Sequence, residues 1–234
     1  MLGPFLPNPR DDRARISSSN TPLLTFMPAR DPVGQALAIA DTSLREFFPT
    51  DFYKRCMYAS FGIAALLHDE GISAHLVGGD FICTVVSRDG AQMTLQGFGT
   101  THDGPPSHYW VLAGGQLLDL GPMYLPYESS FPAAPLPILR WPIAVDLPDF
   151  VLYRERERYA EGAEIYDPVM REKNSAFLSH CRSTRDNASR SLLLPAWQLE
   201  DSQSLRYAAQ KGDLWAKASM EFLRRSLKAS FPAD

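Results

Sequence analysis

The sequence predicts an α+β fold in which a buried helix packs against an antiparallel sheet and a helical C-terminal extension follows. Three observations lead to this prediction. Residues 55–67 are apolar on every side over the length of a helix, which is typical of a buried helix. Residues 74–120 alternate short apolar runs with glycine turns, as antiparallel strands do. Residues 203–229 place apolar side chains along one helical face.

The composition excludes several classes of function. The 234 residues are 45% hydrophobic and 21% charged, with a net charge of −4, which is too mild to predict a nucleic-acid or membrane partner. The three cysteines form no CxxC pair and favour a reducing compartment. No N-terminal stretch is typical of a signal peptide, so we expect a cytoplasmic protein. No motif indicates a cofactor, because Gly78-Gly79-Asp80 lacks the lysine of a phosphate loop.

The N-terminal third predicts an arm followed by two helices. Residues 1–31 are rich in Pro, Asn, Ser and Arg and are interpreted as an extended or mobile arm. Asp31 can cap a first helix that Pro49 ends. The second helix, which Gly71 stops, begins either at Asp51 or after Arg55. Cys56 therefore lies in its second turn or in its first.

Strands are predicted to follow Gly71, with Gly78-Gly79 separating the first two and an Asp89-Gly90 turn after the second. From residue 149 the chain is expected to be helical. We therefore divide the chain into an arm (1–31), a core (32–148) and a helical extension packed on the core (149–234). The predicted strands are 74–77, 81–87, 92–96, 107–112 and 116–120, with a possible edge strand at 138–145.

The hairpin around Gly114-Gly115 brings a histidine and an aspartate together. A two-residue loop pairs Ala113 with Gln116, so His108 and Asp119 emerge on one face as diagonal neighbours. Diagonal Cβ atoms lie roughly 7–8 Å apart or less, a gap that an imidazole and a carboxylate can bridge. A four-residue loop keeps this register, whereas a three-residue loop would turn Asp119 to the other face.

Cys56 supplies a nucleophile for this pair. A thiol near the positive end of a buried helix has a setting that favours the thiolate. A histidine can take the thiol proton while a carboxylate fixes its tautomer. The hypothesis is a Cys56-His108-Asp119 triad that attacks a carbonyl group and protonates a leaving amine. His102, in the preceding loop, is a rival base.

These residues resemble the transglutaminase-like branch of the papain-like superfamily. The resemblance is carried by Cys56 at the head of an Ala-rich helix, by 74–79, by His108-Tyr109-Trp110-Val111 and by Leu118-Asp119-Leu120. It covers about residues 50–125 and is strongest to bacterial transglutaminase-like cysteine proteinases and to the proteases that mature lasso peptides. It implies a catalytic core in 32–148, amide-bond chemistry and a protein or peptide substrate.

Two departures from the family concern the substrate cleft. No Gln precedes Cys56 by a few residues, so the side-chain donor of an oxyanion hole is not identified. The Cys56 N–H is one candidate donor, and the Tyr53 side chain is another. Tyr109 follows the histidine where the family often has a small residue, and with Trp110 it is a candidate to line the cleft.

Three alternatives remain at this stage. The first is a transglutaminase-like fold that has lost catalysis and serves as a binding or scaffold module. The second is an arylamine N-acetyltransferase-like enzyme, which shares the order of the triad. The third is a zinc site of Cys56, Cys83, His102 and His108, whose spacing fits no common ligand pattern.

Overall fold

The chain folds around a seven-stranded mixed sheet. The structure is a computed structural model that describes residues 31–99, 105–163, 165–188 and 192–230, and it describes the backbone alone for 224–230. The α+β class is confirmed. The predicted arm, apart from Asp31, lies outside the described residues. The elements in chain order are α1 (Pro32–Phe47), α2 (Cys56–Asp69), β1 (Ala74–Val86), β2 (Met93–Phe98), β3 (His108–Ala113), β4 (Gln116–Asp119), α3 (Gly121–Tyr124), β5 (Ile138–Pro142), β6 (Val151–Arg158), α4 (Pro168–Asn187), β7 (Gln198–Leu199), α5 (Ser202–Gln210) and α6 (Leu214–Ser230).

The two N-terminal helices begin and end for local reasons. Asp31 caps α1 by accepting a hydrogen bond from the Gly34 N–H at 3.1 Å. A 3₁₀ turn, Phe52–Lys54, then leads into α2, which begins at Cys56 with Arg55 as its N-cap. Of the two predicted starting points for α2, the later one is therefore correct, and Cys56 lies in the first turn.

The sheet has the order β2-β1-β3-β4-β5-β7, and β6 pairs with β1. The pairs are antiparallel, except that β7 runs parallel to β5. The predicted break at Gly78-Gly79 is wrong, because β1 runs through both glycines with only a register shift. A Cβ on Gly79 would lie 2.1 Å from the Arg154 carbonyl oxygen, so this glycine lets β6 approach β1 closely.

The predicted helical character of residues 149–234 is wrong for 151–158, which form β6. The alternating Arg and Glu residues there have the period of a strand, with side chains on two faces. Arg154 and Arg156 both donate to the buried carboxylate of Asp80, at 2.7 and 2.8 Å. The predicted long helix at 203–229 is two helices, α5 and α6, separated at Gly212, whose φ is +100°.

Helices cover both faces of the sheet. Successive residues of β3 belong to different hydrophobic clusters: Val111 packs in the one that includes α1 and α2, and Trp110 in the one that includes α6. Helix α2 contributes Ile63 and Leu67 to the first cluster. The strands β3 and β4 are therefore buried, whereas β2 and most of β6 are exposed, and α2 is fixed against β3. Within the described residues, no helix has both the length and the apolar character needed to cross a bilayer.

Candidate active site

The β3–β4 hairpin has the predicted register. Ala113 pairs with Gln116, and Val111 pairs with Leu118. Gly114 and Gly115 form the two-residue turn with φ values of +56° and +75°, which glycine adopts without strain. As a result, Nε2 of His108 lies 2.6 Å from Oδ2 of Asp119, with the histidine 0% and the aspartate 3% exposed. The structure therefore brings these two predicted residues into a buried hydrogen bond.

Two further donors hold the Asp119 carboxylate. The Gly121 N–H donates to Oδ1 at 2.7 Å, and the Tyr153 hydroxyl donates to Oδ2 at 2.6 Å. Burial first, and then the charge of Asp119, raise the pKa of Tyr153 well above its ordinary value, so the phenol keeps its proton and acts as a donor. Tyr153 was missed by the sequence analysis because its segment was predicted to be helical.

Aromatic rings and a glycine enclose the His108 ring. The ring of Phe98 stacks on it with 5.3 Å between centroids, Phe81 lies at 5.3 Å, and Trp110 at 6.1 Å. On another side is Gly121, where a Cβ would lie 2.3 Å from Cε1 of His108. The position of the imidazole is therefore fixed by packing as well as by its bond to Asp119.

His108 has a strong tendency to hold a proton. Burial by itself lowers the pKa of His108, but the charge and the hydrogen bond of Asp119, with smaller contributions from Cys56, raise it above its ordinary value. Nε2 is engaged by Asp119, whereas Nδ1 is buried and has no well-formed hydrogen bond to any described residue. His108 therefore contacts a carboxylate and lies close enough to the Cys56 thiol for the thiol to affect its pKa.

Cys56 differs from the other two cysteines in position and environment. It is the first residue of α2 and is partly exposed, whereas Cys83 and Cys181 are buried. Burial, followed by the charge of Asp119, raises the pKa of the Cys83 thiol, and burial raises the pKa of Cys181 to about 11. Cys56 is therefore the least buried of the three thiols, and its role as a nucleophile stays a prediction.

The remaining predicted cleft residues fall in different places. The Tyr109 hydroxyl interacts with Tyr159 and lies within electrostatic range of Cys56. The Tyr53 ring stacks on Tyr127, with 5.2 Å between centroids. Trp110 is only 2% exposed and packs behind the His108 ring, so it contacts the histidine rather than an open cleft. His102 lies outside the described residues.

The two cysteines considered for a zinc site lie in different parts of the structure. Cys83 lies in the hydrophobic cluster that includes α6, and Cys56 lies at the start of α2. Across the described part of the chain, no three His, Cys, Asp or Glu side chains are arranged to hold a metal ion. His102, one of the four residues considered, lies in the segment that is not described.

Known proteins give no family for this chain. No protein-family model and no curated protein matches it. Among solved structures, one described as "The crystal structure of genomics APC5867" is similar over 71% of this chain and 86% of that chain, with 14% sequence identity and a TM-score of 0.45. That description mentions no activity. The function proposed below therefore depends on the geometry of the site.

Proposed function

We propose that the chain is a cysteine-dependent acyl-transfer enzyme that acts on an amide bond through Cys56, His108 and Asp119. In this proposal α2 and the strands packed on it form a papain- and transglutaminase-like core. The observation that carries the proposal is the buried His108–Asp119 bond next to the thiol of a cysteine at a helix N-terminus. Peptide cleavage is the leading reaction, and deamidation or transamidation uses the same acyl-enzyme.

The three residues have distinct roles. Cys56 transfers its proton to Nδ1 of His108, and its sulfur attacks the amide carbonyl carbon to give a tetrahedral oxyanion. The intermediate expels the amine, which takes the proton from His108, and a thioester remains. Water or a second amine then attacks the thioester and gives a proton to His108. Finally, the Cys56 thiolate leaves. Asp119 holds the ring in one tautomer throughout and contacts no substrate.

The oxyanion needs hydrogen-bond donors near the sulfur. As the first residue of α2, Cys56 has an N–H without an acceptor inside the helix, and the helix dipole favours negative charge there. The Tyr109 hydroxyl is a candidate second donor, since it is within electrostatic range of the thiol. Tyr53 stays a candidate beside it.

Alkylation of the three thiols tests the proposal directly. An ordinary thiol, with a pKa of ~8.5, is only about 0.3% thiolate at pH 6. We expect iodoacetamide at pH 6 to label Cys56 much faster than a free thiol peptide, with little label on buried Cys83 or Cys181. His108→Gln keeps a polar side chain opposite Asp119 and should reduce the rate to that of an ordinary thiol. Equal rates in the two proteins would count against the triad.

A binding or scaffold module is the second candidate. It is favoured by the burial of His108 and Asp119, since Cys56 is the one member of the three that is even partly exposed. Cys56→Ala separates the two candidates, because the sulfur is indispensable for acyl transfer and unnecessary for a scaffold. Release of an amine from a mixed library of peptides by the wild type, and its loss in Cys56→Ala, is the outcome expected for an enzyme.

A further inference from the structure

Four large apolar side chains are exposed on one face of the sheet. Paired residues of antiparallel strands share a face, as do alternate residues of one strand. Ile82 of β1 pairs with Leu152 of β6, and positions 84 and 86 of β1 pair with Leu95 and Met93 of β2. All four side chains therefore lie on one face, and each is 40–57% exposed. These four side chains form the apolar patch.

The same face of β1 is covered nearer to the start of the strand. Leu76 pairs with Val111 of β3, which packs in the hydrophobic cluster of α1 and α2. At Gly78 the cover changes to Pro106 and Tyr109, since their side chains would lie within 3.2 Å of an added Cβ. Positions 76, 78, 80 and 82 alternate onto one face of the strand. The apolar patch is therefore the exposed continuation of the face that α2 covers.

The distance from the apolar patch to Cys56 is that of a short peptide. The Cys56 thiol lies close enough to His108 and Tyr109 to affect the pKa of each. These two residues pair with the two consecutive glycines of β1. Ile82 is four residues beyond the first of these glycines, which is about 13 Å at 3.3 Å per residue. An extended peptide covers that distance in about four residues.

A peptide segment suits the apolar patch better than a second copy of the chain. Stable interfaces between folded proteins take roughly 20–30 residues a side, and the patch has four. Contiguous exposed apolar side chains nevertheless mark binding surfaces. On the same face, between the patch and the thiol, Arg154 donates to Asp80 at 2.7 Å. The backbone of a peptide would therefore cross an ion pair that is already formed.

We propose that the apolar patch binds bulky apolar side chains of the peptide substrate, four to five residues from the bond that Cys56 attacks. This inference rests on the proposed function, because it takes Cys56 as the reacting group. Leucine or isoleucine at these substrate positions is favoured over a polar residue, since contact with the patch removes apolar surface from water. The patch selects the substrate at a place removed from the chemistry.

Two iodoacetyl peptides measure this selectivity at Cys56. Iodoacetyl-Gly-Gly-Gly-Leu-Leu-amide places its leucines four and five residues from the reactive carbon, and iodoacetyl-Gly-Gly-Gly-Ser-Ser-amide carries serines there. In both, the thiolate sulfur bonds to the methylene carbon and iodide leaves, and peptide mass spectrometry gives the rate at Cys56. At limiting peptide concentration we expect the leucine peptide to react about tenfold faster. Equal rates would overturn the proposal.

Leu152→Ser and Ile143→Ser are a matched pair of variants. Leu152→Ser removes one apolar contact from the patch and should reduce the ratio of the two peptide rates to about threefold or less. Ile143 is also exposed, at 58%, but its N–H bonds to Gly115 in the turn at the other end of β3. Ile143→Ser should therefore keep the tenfold ratio. The proposal is wrong if Leu152→Ser keeps it too.

Iodoacetamide distinguishes failure of this inference from failure of the proposed function. It has no side chain that reaches the patch, so its rate at Cys56 reports activation of the thiol alone. A slow reaction with iodoacetamide counts against the triad, whereas the ratio of the two peptide rates is still measurable at an unactivated thiol. A dimer mass in analytical ultracentrifugation that Leu152→Ser converts to a monomer mass would make the patch an interface between copies and overturn the inference.

Discussion

Gly121→Ala tests whether packing around His108 holds the site together. The added Cβ would lie 2.3 Å from Cε1 and 2.7 Å from Nε2 of His108, whereas ordinary contact begins at 3.4 Å. The imidazole would have to move by about 1 Å, and the rings of Phe81, Phe98 and Trp110 limit its retreat. Backbone strain is not a factor, since φ of Gly121 is not positive.

The expected size of the effect follows from that displacement. Overpacking of this kind costs about 1–3 kcal/mol, which exceeds the 0.4–1 kcal/mol that Gly→Ala can gain through the unfolded chain. In the proposed reaction, a shift of about 1 Å in His108 would cost on the order of 100-fold in rate. Urea unfolding measures the loss of stability, and slower alkylation of Cys56 at pH 6 would show that the displaced His108 no longer takes up the thiol proton.

Gly99→Ala is the matched control. A Cβ there meets nothing within 4 Å, and φ of Gly99 is not positive. It should therefore change stability by less than about 0.5 kcal/mol and leave alkylation of Cys56 unchanged. Wild-type stability and wild-type alkylation in Gly121→Ala would refute the reasoning, because the His108–Asp119 pair would then tolerate the side chain that its geometry excludes.

Two further predictions concern the groups bonded to Asp119 and the proton on His108. Tyr153→Phe removes a hydrogen bond to a buried carboxylate and should lower the free energy of unfolding, measured with urea, by about 1.5–3 kcal/mol. Tyr207→Phe, at an exposed site, should change this free energy little. Equal effects of the two substitutions would contradict a role for the Tyr153 hydroxyl. Cys56→Ala removes the thiol that could exchange protons with the His108 ring. In this variant the pKa of His108 is higher in the folded than in the unfolded chain. The protonated ring therefore contributes its full stabilisation below pH 6.5, and this stabilisation is lost as the pH rises toward the folded-state pKa. The free energy of unfolding of Cys56→Ala should thus fall by up to about 1.4 kcal/mol per pH unit between pH 7 and 8. A Cys56→Ala/His108→Gln double variant whose free energy of unfolding falls equally steeply with pH would refute this.

The β3–β4 hairpin could be predicted because its pairing is set by residues that are close together in the sequence. Gly114-Gly115 allows two consecutive positive φ values, which sets a two-residue loop and hence the pairing of every residue on both strands. The strand period then puts His108 and Asp119 on one face. The same reasoning left the start of α2 ambiguous between Asp51 and Arg55, because both lie beside a short 3₁₀ turn with no side-chain cap.

The rest of the site depends on contacts between distant segments. Residues 151–158 carry so many charges that the segment was predicted as a solvated helix, yet Arg154 and Arg156 pair with Asp80, more than 70 residues away. The period-two alternation of Arg and Glu was the available signal for a strand. Tyr153 could not be assigned to Asp119 without that strand, since β6 reaches the site only by pairing with β1.

The hydrogen bonds of Asp119 bear on the proton transfer that we propose from Cys56 to His108. The carboxylate accepts from His108, Tyr153 and the Gly121 N–H, so its buried oxygens are satisfied by three donors. An imidazolium beside it is then a paired charge rather than an isolated one, which lowers the cost of burying it. In the proposed reaction the thiol gives its proton to His108. The new positive charge would then be compensated by Asp119, and the negative charge would appear at the positive end of α2. Asp119→Asn, a neutral substitution of the same shape, removes this compensation. We therefore infer that the proposed proton transfer from Cys56 depends on the Asp119 carboxylate on β4 as well as on the N-terminus of α2.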